Sequence, residues 1–442
     1  MSDHSDTGLG ACAPAPQSDG LVTRGAAAAA SVLANFCALL VLCLVGAPVA
    51  LAAAPSALDA SLEAAGAPQA APAPIAAWTV MIYMDGDNDL EPWIIHDLEK
   101  ELGAVGSTAD VQVVALADRA AGYTPAAGDW TGTLAFHITK GMKATPEYAV
   151  ADWGERDMGS PRTLVDFVTW AREAYPARRT ALIFWDHGWG WWPGETMKDV
   201  TSNDYLDMDE LRRALETVGG VDMAGMETCL GQTIEVQAEF RGFARALAGS
   251  EDSTGYTTFS YPDILSRLQA EPTMSAAELA VVAAKSIRTG HDKWSLTGSA
   301  VALDWRWDRL AQAVSDLGWD LASRLPACRD TLGRARQHTA SPPQSYSEVR
   351  DLYDMAAQIR ARVAGKAVRR DCDRVLHWLQ RCTLYEWSAP AEGRMHGTAI
   401  FWPAGPRRGA VFSQWVDFPY YASQLTFTRL TYWADFLDFW GG

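Results

Sequence analysis

The sequence predicts an α/β protein in which a mostly parallel sheet is covered by helices on both faces and is followed by a largely helical C-terminal region. Three observations point there. Short apolar runs bounded by turn residues recur along the first 270 residues: WTVMIYM from Trp78, VQVVALAD from Val111, ALIFWD from Ala181 and VDMAGME from Val221. These runs do not alternate with polar residues, as suits strands buried on both faces. Amphipathic helical segments separate them, and a crossover helix is what joins parallel neighbours.

With 442 residues, 48% hydrophobic and 21% charged, the chain is globular by composition and long enough for more than one structural unit. Its net charge of −17 argues against a nucleic-acid partner, since phosphate binding needs concentrated Lys and Arg. The arginines between Arg324 and Arg381 sit in acid-interleaved helical sequence and read as a solvated face.

The first 54 residues read as an export signal. Gly25 to Ala54 carry no charge, follow Arg24, and end in APVALAAAP, where Ala50, Leu51 and Ala52 form a small-x-small cleavage site. If retained, residues 25–54 would instead serve as a membrane anchor. Residues 55–77 are Ala and Pro with little else, a linker or short propeptide. Of seven cysteines, Cys229, Cys328, Cys372 and Cys382 then remain. Cys372 and Cys382 share one helical segment, roughly 15 Å apart at ~1.5 Å per residue, too far for a disulfide.

A catalytic domain is expected over residues 78–270. Its first strand runs into DGDNDLEPWIIHDLEKEL, a loop and then a helix with Pro92 in the first turn. Asp85, Asp87 and Asp89 alternate as in an EF-hand, but Leu90 stands where that loop needs Gly and His96 where it needs Glu. Helix capping and loop structure are the expected roles. Val111 to Asp118 is a second strand and Thr131 to Ile138 a third, at the edge. Ser160 and Pro161 open a helix whose Leu164, Val165, Val168 and Ala171 make one apolar face. The next strand delivers His187. LDMDELRRALETVGG then supplies a helix capped by Asp207 with Glu210 three residues on and ended by Gly219 and Gly220, and the strand after it delivers Cys229. TIEVQAEFRGFARAL is a further helix and LAGSED a strand end. Residues 271–442 form a mostly helical region contributing one or more strands to the sheet. Here AAELAVVAAKSI is helical and TGSAVALDW strand-like. Asp308 to Arg381 is mostly helical with a break at TASPPQSYS, His396 to Pro403 is a buried strand, and FTRLTYWADFLDFW is a closing helix.

His187 and Cys229 lie 42 residues apart (187 to 229), room for one crossover helix, so both should emerge at the carboxyl edge of one sheet, where open α/β sheets bind ligands. Cysteine hydrolysis needs a thiolate, a base and oxyanion donors. Cys229 would attack, His187 would hold or take its proton, and the N–H groups of Gly188 and Cys229 would face the oxyanion. The remaining histidines show no metal spacing. Two rival readings stay open. Trp185, Trp189, Trp191 and Trp192 suit a carbohydrate-active protein, with Glu195 and Asp186 as its acid pair; a non-catalytic binding protein could use the same scaffold.

Longer stretches resemble the clostripain family (peptidase family C11) of caspase-like cysteine peptidases. MIYMDGDNDLE resembles that family's opening strand and DNNLE-type loop, and DMGSPRTLVDFVTWAREAYPA its MGDPxTLxxFIxW segment. IFWDHGWGWW resembles WDHGxGW, METCLGQTIEVQAEFRGFARALAGSED resembles DACLMxxxEVxxELxxYAxxLVxSE, and HGTAIFWP resembles a GLSIYFP strand. The similarity runs from Trp78 to the C-terminus.

The resemblance implies a caspase-like fold and an endopeptidase with a Cys-His dyad, acting on protein or peptide substrates after Arg or Lys; the leader implies a secreted or periplasmic location. It makes Glu227, two residues before the nucleophile, the acid that binds the basic side chain, where the family usually has Asp. Thr228 is the small residue before the cysteine, while Gly231 and Gln232 depart from the usual pattern. Glu251 and Asp252 would add negative potential to the pocket or lie in a surface loop. Relatives cut themselves after the catalytic histidine, and Lys198 is the only basic residue between His187 and Arg212, so self-cleavage is expected there. No cofactor is required; calcium dependence occurs in the family's founding member, but the sequence displays no site for the ion.

Overall fold

In the computed structural model, which describes residues 75–287, 294–390, 393–405 and 418–442, the first apolar run becomes strand β1 (Ala76–Gly86), buried along its whole length. The leader expected over residues 1–54 and the linker as far as residue 74 lie outside the described residues. β1 runs into α1 (Glu91–His96), which passes through a π turn (Asp97–Leu102) into the short α2 (Gly103–Val105). Next come β2 (Val111–Arg119), β3 (Gly132–His137) and β4 (Ala149–Asp152). α3 (Pro161–Ala174) follows Ser160 as expected and leads into β5 (Ala177–Trp185). A hairpin of β6 (Lys198–Asp199) and β7 (Asp204–Tyr205) precedes α4 (Met208–Thr217). The capping box at α4 is present: Glu210 N–H donates to Asp207 at 2.9 Å, and Asp207 N–H donates back at 3.4 Å. Then follow β8 (Met223–Glu227), α5 (Ile234–Phe240), β9 (Ala246–Gly249), α6 (Tyr261–Ala270), α7 (Ala276–Ser286) and β10 (Thr297–Ala302).

The rest of the chain is α8 (Trp305–His338), β11 (Val349–Asp351), α9 (Leu352–Arg362), α10 (Lys366–Cys382), β12 (Thr383–Ser388), β13 (Ala399–Phe401), α11 (Phe418–Gln424), α12 (Thr426–Leu430) and α13 (Trp433–Gly441). Cys372 and Cys382 both lie on α10, and Cys229, Cys328, Cys372 and Cys382 are all free thiols.

One nine-stranded sheet has the order β12-β10-β9-β8-β5-β1-β2-β3-β4. Its five central strands, β9 to β2 in that order, are parallel. β3 and β4 close one side and β10 and β12 the other, all antiparallel to their neighbours. A hydrophobic core lies on each face. Val80, Ile82 and Met84 of β1 pack with Ile94 of α1, Ile264 of α6 and Leu279 of α7; Met81 and Tyr83 face Leu164 of α3, Leu211 of α4 and Trp307 of α8. Burial on both faces explains why these strands do not alternate in sequence.

Several elements differ from the sequence reading. β3 is one strand in from the edge, because the half-buried AVAD segment pairs outside it as β4. The helix after Cys229 stops at Phe240: Arg241 is extended and Gly242 has φ 97°, which turns the chain into β9. TLYEWS forms β12, whereas the C-terminal strand Ala399–Phe401 pairs with β11 in a separate two-stranded sheet. The closing helix breaks between Leu430 and Trp433.

Buried carboxyls fasten the last third of the chain to the sheet. Glu235 accepts from the Phe401 N–H at 3.0 Å and the Tyr421 hydroxyl at 2.9 Å. Glu239 accepts from the N–H and hydroxyl of Thr426, both at 2.6 Å. Glu251 accepts from the Gly397 N–H at 2.5 Å, and Asp351 from the Asp354 and His396 N–H groups, each at 2.6 Å. Removal from water dominates and pushes Glu235, Glu239 and Asp351 each up to about 7.

An acid whose folded-state pKa is raised contributes stability that is full below its unfolded value and is lost as pH rises through the folded value. Urea unfolding midpoints should therefore be higher near pH 5 than at pH 8, and Glu235→Gln should flatten that dependence. The expected share of Glu235 is up to about 3 kcal/mol at ~1.36 kcal/mol per unit.

Candidate active site

The site follows from strand register. β5 and β8 are parallel neighbours, and Trp185 pairs with Glu227 at their carboxyl ends. Two residues beyond each partner stand His187 and Cys229, so the reactive pair predicted from sequence is brought to one sheet edge. The two loops meet closely. A Cβ on Gly188 would lie 2.8 Å from Thr228 Cβ and 3.1 Å from the Cys229 carbonyl oxygen, and one on Gly231 would lie 2.4 Å from Met226 Cβ. Leu230, directly after the cysteine, has φ 59°, a left-handed conformation that side-chain-bearing residues adopt at a cost.

His187 Nε2–H donates to Asp89 Oδ1 at 2.8 Å. Burial opposes charge on its ring, but the Asp89 hydrogen bond, the charges of Asp186 and Asp89 and the nearby Cys229 outweigh it, and the imidazole is pushed up to about 9. Cys229 is buried, and its Sγ accepts the Thr254 N–H at 3.3 Å with the Thr254 hydroxyl at 3.9 Å. The same sulfur also lies 3.8 Å from the Thr254 carbonyl oxygen, to which the thiol donates.

Glu227, two residues before Cys229, is buried. Its Oε1 accepts the Phe259 N–H at 2.8 Å and its Oε2 the Tyr261 hydroxyl at 2.5 Å. Burial, reinforced by the charge of Asp97, holds this carboxyl well above the usual range. Glu251 and Asp252 are buried too, so the surface-loop alternative for them does not hold. Asp252 Oδ1 accepts from the Ser345 hydroxyl at 2.7 Å and the Gln344 N–H at 3.1 Å, linking the nucleophile's surroundings to the C-terminal region.

Lys198 lies in β6 beside the same site. Its N–H donates to Asp186 Oδ2 at 2.7 Å, its carbonyl accepts from Asn88 Nδ2 at 3.1 Å, and its ammonium pairs with Glu195 at 2.9 Å.

The clostripain family model matches residues 82–440, which include both His187 and Cys229. The chain belongs to the clostripain family. It is 26% identical over 221 residues to clostripain of Hathewaya histolytica, and the match spans 43% of this chain and about two fifths (42%) of that relative. Among solved structures, it resembles a secreted C11 cysteine protease from Bacteroides thetaiotaomicron bound to an irreversible peptide inhibitor. That likeness has a TM-score of 0.57 at 16% identity and covers 82% of this chain and 99% of the other. An inactive zymogen C11 protease from Parabacteroides distasonis has a TM-score of 0.55 at 18% identity, over 75% of this chain and 93% of that one. The family's fold, a helix-flanked mixed sheet with a helical C-terminal region, is the fold described above.

The tryptophan-rich surface expected by the carbohydrate reading is not a surface. Trp185, Trp191 and Trp192 are buried. Trp185 donates to Asp97 at 2.7 Å, Trp191 and Trp192 stack at 4.3 Å and both meet Phe401, and Trp189 meets Tyr346 edge-on. Asp186 and Glu195, the acid pair of that reading, are taken up by Lys198 and Asn88.

Sequence reasoning missed the partners of both reactive residues, Asp89 and Thr254. It also missed a grouping of Asp87, Glu155 and Asp199, whose carboxylate oxygens lie within 4.8 Å of one another. Asp87 is buried, and its Oδ2 has no hydrogen-bond donor. These three could hold a hard cation, although Ca²⁺ takes roughly six to eight oxygens and would need further ligands. As the departure from EF-hand spacing implies, Asp85, Asp87 and Asp89 point to different partners: the Asp87 N–H, the Thr201 N–H and His187. Neither is the expected capping role met: the N-cap of α1 is Leu90, with no side-chain cap.

Gly188→Ala should destabilise the protein by about 1–3 kcal/mol, as overpacking does. Gly333→Ala on α8 meets nothing closer than 3.9 Å and should be neutral or slightly stabilising. Urea unfolding of the two variants side by side checks the contrast.

Proposed function

We propose that the protein is an exported cysteine endopeptidase that cleaves peptide bonds after Arg or Lys through Cys229 and His187. The observation that carries the reading is the placement of these two residues at matching positions beyond register-paired strand ends. Cys229 Sγ attacks the scissile carbonyl while the N–H groups of Gly188 and Cys229 face the oxyanion; His187 protonates the departing amine, and water then hydrolyses the thioester. Export rests on the uncharged run from Gly25 to Ala54 and on the secreted Bacteroides relative. Among the described residues no helix is long and apolar enough to cross a membrane.

Preference for a basic side chain rests on Glu227. With its pKa raised by burial, the carboxyl is disposed to stay neutral in the empty site, and an arriving guanidinium or ammonium supplies the counter-charge that ionises it. Self-cleavage after Lys198 belongs to the same proposal. Because the Lys198 N–H and carbonyl are held by Asp186 and Asn88, that strand must first open.

Fluorogenic peptides with Arg, Lys, Asp or Asn at the cleavage position test the reading. Arg and Lys peptides should be cut, and Cys229→Ala should lower the rate about a thousandfold or more. Glu227→Gln should lower kcat/KM on basic peptides roughly tenfold to a hundredfold. Silence from folded, processed protein on all four peptides favours a non-catalytic role for the scaffold. Lys198→Ala protein that yields the same fragments as wild type refutes the processing site.

A further inference from the structure

We propose that Asp89 is the positioning residue of His187: its carboxylate holds Nε2 and leaves Nδ1 to exchange a proton with Cys229. This rests on the reading of His187 as the base. The contact is direct, 2.8 Å from Oδ1 to Nε2, and it joins residues 98 positions apart in sequence. A catalytic imidazole has two nitrogens, and the partner of one decides which remains for the chemistry.

The Asp89 side chain is largely exposed, 71%, and an isolated exposed ion pair contributes little. Here the backbone under it is fixed. Asn88 and Leu90 on either side are buried. Asn88 Nδ2 donates to Asp186 Oδ1 at 2.9 Å and to the Lys198 carbonyl at 3.1 Å, and Asn88 Oδ1 accepts the Leu90 N–H at 2.9 Å. One residue earlier, Asp87 accepts the Thr201 N–H through Oδ1 at 3.0 Å and the Val200 N–H through its carbonyl at 2.9 Å. The loop after β1 is thus tied both to Asp186, the residue before His187, and to the hairpin of β6 and β7. Asp89 leaves that frame already aimed, so little side-chain freedom remains to be lost on making the bond. Asp186 is engaged elsewhere: its two oxygens accept from Asn88 Nδ2 and the Lys198 N–H.

The charged and titratable groups around the pair are Asp186, Cys229 and Lys198, with Tyr123 facing Asp89 from the loop after β2. The Asp89 hydrogen bond is the largest influence raising the His187 pKa. A raised imidazole pKa keeps the ring protonated, and with it the thiolate-imidazolium pair, until pH climbs through the folded value near 9. Removing the carboxylate lowers that value, so the alkaline limb moves to lower pH.

The test uses Asp89→Asn, Asp89→Ala and Asp89→Glu in the full chain. Basic-peptide hydrolysis is followed from pH 5 to 10, and the His187 imidazole is titrated by NMR in the Cys229→Ala background, with its signal assigned by His187→Ala. Asp89→Asn and Asp89→Ala should lower kcat about tenfold or more with KM changed less than twofold, shift the alkaline limb down by about one unit, and lower the His187 titration by a similar amount. Asp89→Glu should recover part of both. A His187 titration unmoved by Asp89→Asn overturns the inference, whatever the fate of the peptidase reading. Activity retained in Cys229→Ala would instead remove that reading while leaving the titration result standing.

Discussion

The pairing of Trp185 with Glu227 at the ends of two parallel strands sets where everything else must be. A strand slipped by one residue turns its side chains to the opposite face, so the matched positions of His187 and Cys229 depend on this register. Their closeness then dictates small residues: Gly188 is pressed against Thr228 and the Cys229 carbonyl, and Gly231 against Met226. Leu230 accepts a left-handed backbone in the same turn. β1 and β5 are apolar toward both layers and pack into the two cores on either face of the sheet.

Around this edge the molecule concentrates carboxyl groups and uses most of them as hydrogen-bond acceptors. Glu227, Glu235, Glu239, Glu251, Asp252 and Asp351 are buried and receive N–H or hydroxyl donors from segments far away in sequence. A carboxyl can serve two donors at once, which suits joints where loops converge with orphan N–H groups. Among the described residues, a counterpoint is Glu91, which meets the buried Arg119 through a 2.6 Å bond to Nε. The acidic composition is thus partly structural, and the same burial that makes these joints raises the pKa values of many of their acids.

Much of this was legible where the determinants are local. Apolar runs without alternation marked β1, β2, β5 and β8; Asp207 with Glu210 marked the start of α4; Ser160 and Pro161 marked α3. The strand-end positions of His187 and Cys229 followed from the same pattern. What escaped is non-local or weakly patterned. AVAD is too short and too exposed to announce an edge strand, and TLYEWS continues a helical stretch with no turn residue between them. The helix after Cys229 kept its apolar period past Phe240, but Gly242 ended it. Asp89 looked like one acid in a run of three, and nothing within ten residues indicates that its partner is His187. Thr254 carries no signal at all as a partner of sulfur.

The turn at Cys229 is also supported by chain far downstream of it. The Gln232 carbonyl receives the Ala399 N–H at 3.1 Å, Gln237 bonds Thr398 at 3.2 Å, and Ser253 and Asp252 are held by Gln344 and Ser345. A nascent polypeptide paused at residue 340 already contains His187 and Cys229, yet none of these supports. Full support of the cysteine loop therefore waits until residues 344–399 have been made and have packed against it.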